Sequence, residues 1–517
     1  MRLLEGFFAL KAVNASFLNS YLLVHKTICA GRDCLFAYIC VHENVYRSTL
    51  AARIALFFQT RGKSTLHSQV RTVVSLALLY AFRMLGLFMV LPVLMLYGTG
   101  YGGSSPFLLG MALGIYGLTQ AILQIPLGLL SDIWGRKPVI FIGLAVFALG
   151  SLVAATASSI EGLIIGRALQ VSGAIASAVM AMVADLTSEE NRTKAMAAIG
   201  ASIGLSFSVA MIIGPGIASL WGLSGVFSLS SVLALAGMLI LLFLVPRPPK
   251  APASHRDSGA VPALISNCLR NGELLRLNLG IFALHFVLMA AFVVVPRLLE
   301  QTYGVARGHH WLVYLLLLGI AFIVMLPIVI FSEKRRKIKP VFIGAVAALV
   351  LSLLMLGGAE LGMVTWFLTL LLFFTAFNLL EASLPSLVSK LAPAGGKGTA
   401  MGVYSTCQFL GAFAGAASSG WMLQSYGAAQ VYMLAAAVVG VWLLFAVSMK
   451  PPKYLSSLSV GVVGEFNATA DILAVAGVEE ALLVQEDELL YLKVDKRVFN
   501  EAELKQVLQA HGQSPDE

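Results

Sequence analysis

Apolar runs of about eighteen or more residues recur from about residue 70 to about residue 450. Coiled into helices at roughly 1.5 Å per residue, runs of that length cross the roughly 30 Å of hydrocarbon in a bilayer. Inside lipid every backbone polar group needs an internal partner, and long continuous apolar runs satisfy that need as helices. Composition agrees, with 58% of residues hydrophobic, 12% charged and a mean hydropathy of +0.87, far from the balance of a soluble domain. The chain reads as an all-α polytopic membrane protein, with nothing after residue 450 apolar enough to span.

Loops marked by Gly, Pro and charge divide the runs into spans near 72–97, 106–130, 138–157, 161–186, 194–220 and 224–245, then near 277–299, 310–331, 340–357, 363–390, 398–425 and 428–449. The expected organisation is an extension over 1–69, a six-helix bundle over 70–245, a linker over 246–276, a second bundle over 277–450 and a soluble module over 455–517. The linker opens with Pro246-Arg247-Pro248-Pro249-Lys250. Residues 1–69 hold no run long enough to span and no signal-peptide pattern. They read as a poorly ordered or interfacial extension, or as a product of start assignment, since the next Met after Met1 is Met84, inside the first span.

The net charge of +9 is unevenly spread, with +5 over 1–69, −8 over 455–517 and therefore +12 between them. Most of that basic charge sits in alternate loops: Arg136, Lys137, Arg192, Lys194, Arg247, Lys250, Arg256, Arg270, Lys334–Lys337, Lys390, Lys397 and Lys450 share one side, and only Arg297 and Arg307 fall near the other. The positive-inside rule then places both termini and the linker in the cytoplasm, in a multi-pass protein of the plasma (inner) membrane. The same charge is an orientation signal and does not point to nucleic acid. Five cysteines form no even framework and no C-x-x-C pair, and Cys29, Cys34, Cys40 and His42 match no standard metal site. No metal or cofactor is expected.

The two sets of six spans repeat. Pro126 to Gly143 matches Pro327 to Gly344, with Leu130-Ser131-Asp132 answered by Phe331-Ser332-Glu333 and Lys137-Pro138-Val139 by Lys339-Pro340-Val341. A parallel repeat of this kind puts a transport path at the interface of the bundles, near the midplane. Between the second and third spans lies Gly128-Leu129-Leu130-Ser131-Asp132-Ile133-Trp134-Gly135-Arg136-Lys137-Pro138. Its glycines permit close packing and a tight turn, and Arg136-Lys137 mark the loop as cytoplasmic.

From about 72 to 450 the chain resembles the major facilitator superfamily, whose loop signature Gly128, Asp132, Gly135, Arg136 and Lys137 match in full. Arg167-Ala168-Leu169-Gln170-Val171-Ser172-Gly173 resembles the family's fourth-span motif, and Gly214-Pro215 its antiporter motif, although Ala218-Ser219 stand where paired glycines are usual. Leu85-Gly86 to Pro92 and the appended C-terminal module resemble the drug:proton antiporter branch. The resemblance implies that Asp132 meets the N-terminal end of the eleventh span near Gly398-Thr399, and that Arg136 pairs with Asp185. These contacts would act as a conformational switch, closing the cytoplasmic side in one state and breaking when the bundles rock. The second copy lacks the glycines and carries Ser332-Glu333 before Lys334-Arg335-Arg336-Lys337, which reads as a degenerate latch.

From Tyr454 the pattern predicts a strand over 457–463, a helix over 467–478, strands over 481–485 and 489–494, and a helix over 500–510. This β-α-β-β-α order suggests a small ferredoxin-like α/β domain without its last strand. It resembles heavy-metal-carrier domains, but the loop Gly464-Glu465-Phe466-Asn467 has no Cys pair. Its acidic surface can dock on a basic cytoplasmic face, and its sheet edge can support self-association.

Charge inside a span is costly, so each such residue is a functional candidate. Arg83, Arg167, His285 and Glu381 fall on the first, fourth, seventh and tenth spans, which line the central cavity in the resembled fold. Burial favours the protonated form of a carboxyl group and a nearby cation the ionised form, so access and substrate can switch its proton. Glu381, the only acidic residue well inside a span, is the first choice of proton carrier, with His285 second because imidazole titrates near pH 6.5, about neutrality. Arg83 and Arg167 serve as fixed charges, or simply bond backbone carbonyls. Tyr116, Gln120 and Gln124 form a polar stripe at i, i+4 and i+8. Together with Asn378, Tyr404 and Gln408 they are candidates for substrate contact or for joining neighbouring helices.

These features describe a proton-coupled antiporter that exports a small molecule, amphipathic compounds among the candidates, by alternating access. The alternatives are a symporter or facilitator importing a solute, and a membrane sensor acting through the C-terminal module. No nucleophile-base group or phosphate loop suggests an enzyme. The expected partners are a small-molecule substrate, protons and the lipid bilayer.

Overall fold

The computed structural model describes residues 65–173, 175–187, 189–246, 262–358, 360–393, 396–450, 456–462, 469–484, 489–495, 497–511 and 513. Most of the 1–69 extension and the Pro-rich part of the linker lie outside them.

The first half holds α1 (Thr65–Phe88), the short α2 (Leu94–Tyr97), α3 (Pro106–Trp134), α4 (Arg136–Thr156), α5 (Ile160–Ser172), α6 (Ala176–Leu186) and α7 (Glu189–Phe243). The second half holds α8 (Pro262–Arg270), α9 (Gly272–Gln301), α10 (His310–Lys334), α11 (Ile338–Gly358), α12 (Met363–Leu391), α13 (Lys397–Ser425) and α14 (Ala428–Ser448). Ten helical stretches among the described residues are long and apolar enough to cross a membrane. One of them, Lys194–Phe243, holds two spans joined at Gly222, whose φ of 62° interrupts the helix. The more polar α13 supplies another, giving the expected twelve.

Local chemistry sets the ends. Ser105 accepts from the Leu108 N–H with Pro106 in the first turn of α3, and Asn271 accepts from Glu273 and Leu274 to start α9, which satisfies orphan donors of each helix. Two expected spans are broken. The first stops at Phe88 and restarts at Leu94, because Pro92 has no N–H and disfavours helical backbone at the residue before it. The fourth is interrupted between Ser172 and Ala176, and there Arg83 donates to the Gly173 carbonyl at 3.4 Å, replacing a partner lost from the helix.

Apolar side chains cover the outside. Ile133, Leu220, Val364 and Leu444 are each at least 70% exposed, a surface that water would not tolerate and lipid requires. At the centre, α9 is buried without a gap from Ala283 to Pro296.

The C-terminal module contains β1 (Ser456–Gly461), α15 (Thr469–Ala474), β2 (Val478–Val484), β3 (Leu489–Val494) and α16 (Glu501–Ala510). Its antiparallel sheet has the order β1-β3-β2, with Ile472, Leu490, Leu492, Leu504 and Leu508 in one core. The order of elements matches expectation, but the first helix is shorter and β2 starts earlier. Gly477, at φ 86°, turns the chain just before Val478, so Val478-Glu479-Glu480 joins the ladder with β3 instead of extending the helix.

Candidate functional site

Four polar side chains from three helices meet in the middle of the second half. Glu381 on α12 places Oε2 3.9 Å from Nδ1 of His285 on α9. The other ring nitrogen of His285 lies 2.8 Å from the Gln408 amide nitrogen on α13. A donating amide leaves that ring nitrogen as acceptor and puts the imidazole proton on Nδ1, the nitrogen facing Glu381. Tyr404, one turn before Gln408, is buried with its hydroxyl unpartnered, as are His285 Nδ1 and Glu381 Oε2. The Glu381 side chain nevertheless keeps 37% of its surface accessible. Asn378 is half-buried one turn earlier on α12.

The charged residues of the first half form a separate network. Arg83, 1% exposed, donates to Gln120 Oε1 at 3.1 Å and lies 5.7 Å from the Phe147 ring centre. Gln120 passes the chain on to Gln124 at 3.2 Å. Nε and Nη1 of Arg83 have no protein partner. Arg167 is fully enclosed and bonds Gln170 Oε1 at 2.7 Å, Ala112 O at 3.3 Å and Leu113 O at 3.5 Å. Its guanidinium lies 5.4 Å from the Tyr116 ring, and Gln170 reaches Ser151 at 2.9 Å. The stripe of Tyr116, Gln120 and Gln124 thus lies against the two arginines, where it joins helices.

At the loop between α3 and α4, Arg136 bonds Ser131 Oγ at 2.7 Å, Asp185 at 3.2 Å and Asp132. Gly135 makes the turn at φ 92°, Lys137 donates to the Val245 carbonyl, and Gly128 packs against Ser177. Asp132 is about half exposed, and among the described residues its ion pair is with Arg136 and not with the start of α13. Gly214 sits where a Cβ would be 3.2 Å from Met89 Cα, so Gly214-Pro215 lets α7 approach the break after α1.

Among the described residues, close contacts join the two halves away from that loop, and Phe207 meets Phe292 across them with ring centres 6.2 Å apart. A Cβ added to Gly110 would lie 2.9 Å from Gly420 Cα, one on Gly114 3.1 Å from Phe413 O, and one on Gly117 3.0 Å from Phe413 N. On the other face of α13, Gly415 meets Phe286 Cα at 2.6 Å by the same measure. Small residues of this kind let membrane helices pack at backbone distance. Phe107 N–H donates to Gln424 Oε1 at 3.1 Å, and Tyr116 Oη lies 3.9 Å from Met289 Sδ. Arg307, paired with Glu300 at 2.6 Å, stacks 5.2 Å from the Tyr97 ring centre. The sequence reading missed this seam. Its signal was the spacing Gly110-x-x-x-Gly114-x-x-Gly117 on α3, meaningful only once α13 is known to face it.

The family model of the Major Facilitator Superfamily matches residues 76–416. The chain belongs to the major facilitator superfamily. Within it, the inner membrane transport protein YajR of Escherichia coli is 45% identical over 442 residues, covering 85% of this chain and 97% of that one. An uncharacterized transporter of Buchnera aphidicola is 36% identical over 347 residues, 67% of this chain and 89% of its own length. Among solved structures, the D-xylose-proton symporter superposes with a TM-score of 0.61 at 17% identity, covering 75% of this chain and 99% of the symporter. A bacterial homologue of the lysosomal transporter Spinster superposes with 0.62 at 13% identity, covering 75% and 97%. These two share the major facilitator fold. The chain is a multi-pass membrane transporter of this superfamily, and its relatives are transporters and not enzymes.

Proposed function

We propose that this transporter is a proton-coupled exporter of the inner membrane, with both termini cytoplasmic, moving a small molecule by alternating access. The His285–Glu381–Gln408 group carries the reading. An acidic side chain inside a span, partly accessible and within 3.9 Å of an imidazole, has the parts needed to take up and release a proton as access changes. Asn378, Tyr404 and Gln408 lie beside it and are the first candidates for substrate contact. Arg83 and Arg167 hold fixed charge in the first half. Export rests on the resemblance of Gly214-Pro215 to an antiporter motif, while the likeness to YajR, a transport protein of the E. coli inner membrane, supports transport without a direction.

The positive-inside rule puts the loop of Asp132 and Arg136 in the cytoplasm. The closed seam of Gly110, Gly114 and Gly117 is then periplasmic, and the state described is inward-facing. On this reading Arg136–Asp185 does not break when the bundles rock: both partners belong to the first half, and their contact is intact here. The part of the loop free to make and break a contact between halves is Asp132.

Flux in proteoliposomes tests the proposal, using a ligand found by thermal stabilisation of the purified protein. Glu381→Gln is expected to bring pH-gradient-driven flux down to the ungradiented level while ligand exchange without net proton movement continues. Gradient-driven flux that survives in Glu381→Gln would remove Glu381 as the carrier.

A further inference from the structure

The three strands of the C-terminal module bury one face against α15 and α16. By strand alternation, Leu490, Leu492 and Val494 of β3 belong to that face, and Tyr491 and Lys493 to the other. A three-stranded sheet with helices on one side leaves its second face to water, yet Tyr491 is 6% exposed and Lys493 3%. Lys493 Nζ donates to the Lys390 carbonyl at 3.0 Å and lies 3.9 Å from Glu480 of β2. Lys390 stands in the last turn of α12, where carbonyls lack helical partners and the helix dipole favours a cation. On this face Tyr491 packs on Leu482 and Leu489 of the module itself, and Lys493 touches the end of the span that carries Glu381.

The same end of α12 is tied sideways. The Lys390 side chain pairs with Glu333 at 3.6 Å, in the second copy of the loop motif. In the first half, the loop supplies the cation, Arg136, and the end of the fourth span the anion, Asp185, at 3.2 Å. In the second half the loop supplies the anion and the end of the tenth span the cation. The second latch is thus inverted in polarity, which differs from the degenerate latch expected from the missing glycines. It also has a third member, Lys493, that the first half lacks.

We infer that the C-terminal domain is the clamp of the second half: through Lys493 it holds the end of α12 and, by way of Lys390, the loop 332–337. The clamp does for the Glu381 span what Ser131, Asp132 and Asp185 around Arg136 do for the first half. It stands independently of whether Glu381 carries a proton. Any partner that takes the Tyr491–Lys493 face must lift the domain off α12, which makes the face an input to the transport bundle.

The test uses the full chain with its five native cysteines replaced and spin labels at Arg335 and Gln506, both exposed. Lys493→Met keeps the aliphatic stem and removes the charge. The expected result is a label distance that changes from narrow to broad, and backbone hydrogen exchange over 385–393 that quickens about tenfold, while β1 and β2 keep their protection. Lys493→Arg is expected to behave as the parent. A narrow distance with unchanged exchange in Lys493→Met would overturn the inference. So would loss of protection in β1 and β2 themselves, which would make Lys493 a folding residue of the module.

Discussion

At the scale of single residues, the four ionisable side chains in the spans were visible in the sequence because lipid makes each of them expensive. Their partners were not visible. Arg83 and Arg167 look alike in one dimension, yet Arg167 has three matched acceptors within 3.5 Å and Arg83 keeps two nitrogens unpartnered. The difference is measurable. Lysine retains charge but cannot reproduce the planar fork, so Arg167→Lys should forfeit two hydrogen bonds worth about 1 kcal/mol each and lower the unfolding temperature in detergent by several degrees. Arg83→Lys should change the unfolding temperature less. Equal effects of the two substitutions would show that the matched acceptors of Arg167 carry no weight.

At the scale of elements, span positions were legible nearly to the residue: the runs over 310–331 and 428–449 became His310–Lys334 and Ala428–Ser448. Crossing hydrocarbon is a property of each segment by itself, and composition reports it. The breaks after Phe88 and at Gly173 do not follow from the sequence, although Pro92 and Gly173 stand in them, because most prolines and glycines in membrane helices are absorbed without a break; Pro126 and Pro385 lie inside intact helices. The seam of α3 and α13 belongs to this scale too. Gly114→Val puts methyl groups where Phe413 O already stands 3.1 Å from an added Cβ, and overpacking of this kind costs about 1–3 kcal/mol. Inter-bundle distance labels at the Tyr97 end should lengthen and the population should move toward the opposite-facing state. Gly204→Val, at a glycine with nothing within 4 Å of an added Cβ, should leave those distances unchanged.

At the scale of the whole molecule, the contacts between the two halves among the described residues include the glycine seam, the Phe107–Gln424 hydrogen bond and the stacking of Arg307 on Tyr97 at one end, with Tyr116 against Met289 and Phe207 against Phe292 further in. Removing the stacking of Arg307 should be mild, since an exposed cation–π pair is worth about 0.5–1 kcal/mol. Arg307→Ala should therefore shift the ratio of the two facing states about two- to fivefold toward opening at that end, read by the same labels. Because Arg307 also pairs with Glu300, Glu300→Gln serves as the control: it removes the ion pair, spares the stacking and should shift the ratio less. The C-terminal module touches the second half at the opposite end, through Lys493, so the two ends of the transporter are held by unrelated chemistry.

The sequence by itself determined the number of spans, the repeat, the charge asymmetry of the loops, the order of elements in the C-terminal module and the superfamily. Each of these depends on residues that are neighbours in the chain or on periodicity along it. Only the tertiary structure decided that Glu381 meets His285 and Gln408, that Tyr116, Gln120 and Gln124 brace two arginines, which end of the bundle is closed, and what lies over Lys493. Those contacts join positions from 37 to 123 residues apart, or two separately folded layers. They are fixed by how close two helices can come, which depends on small residues on both facing surfaces at once.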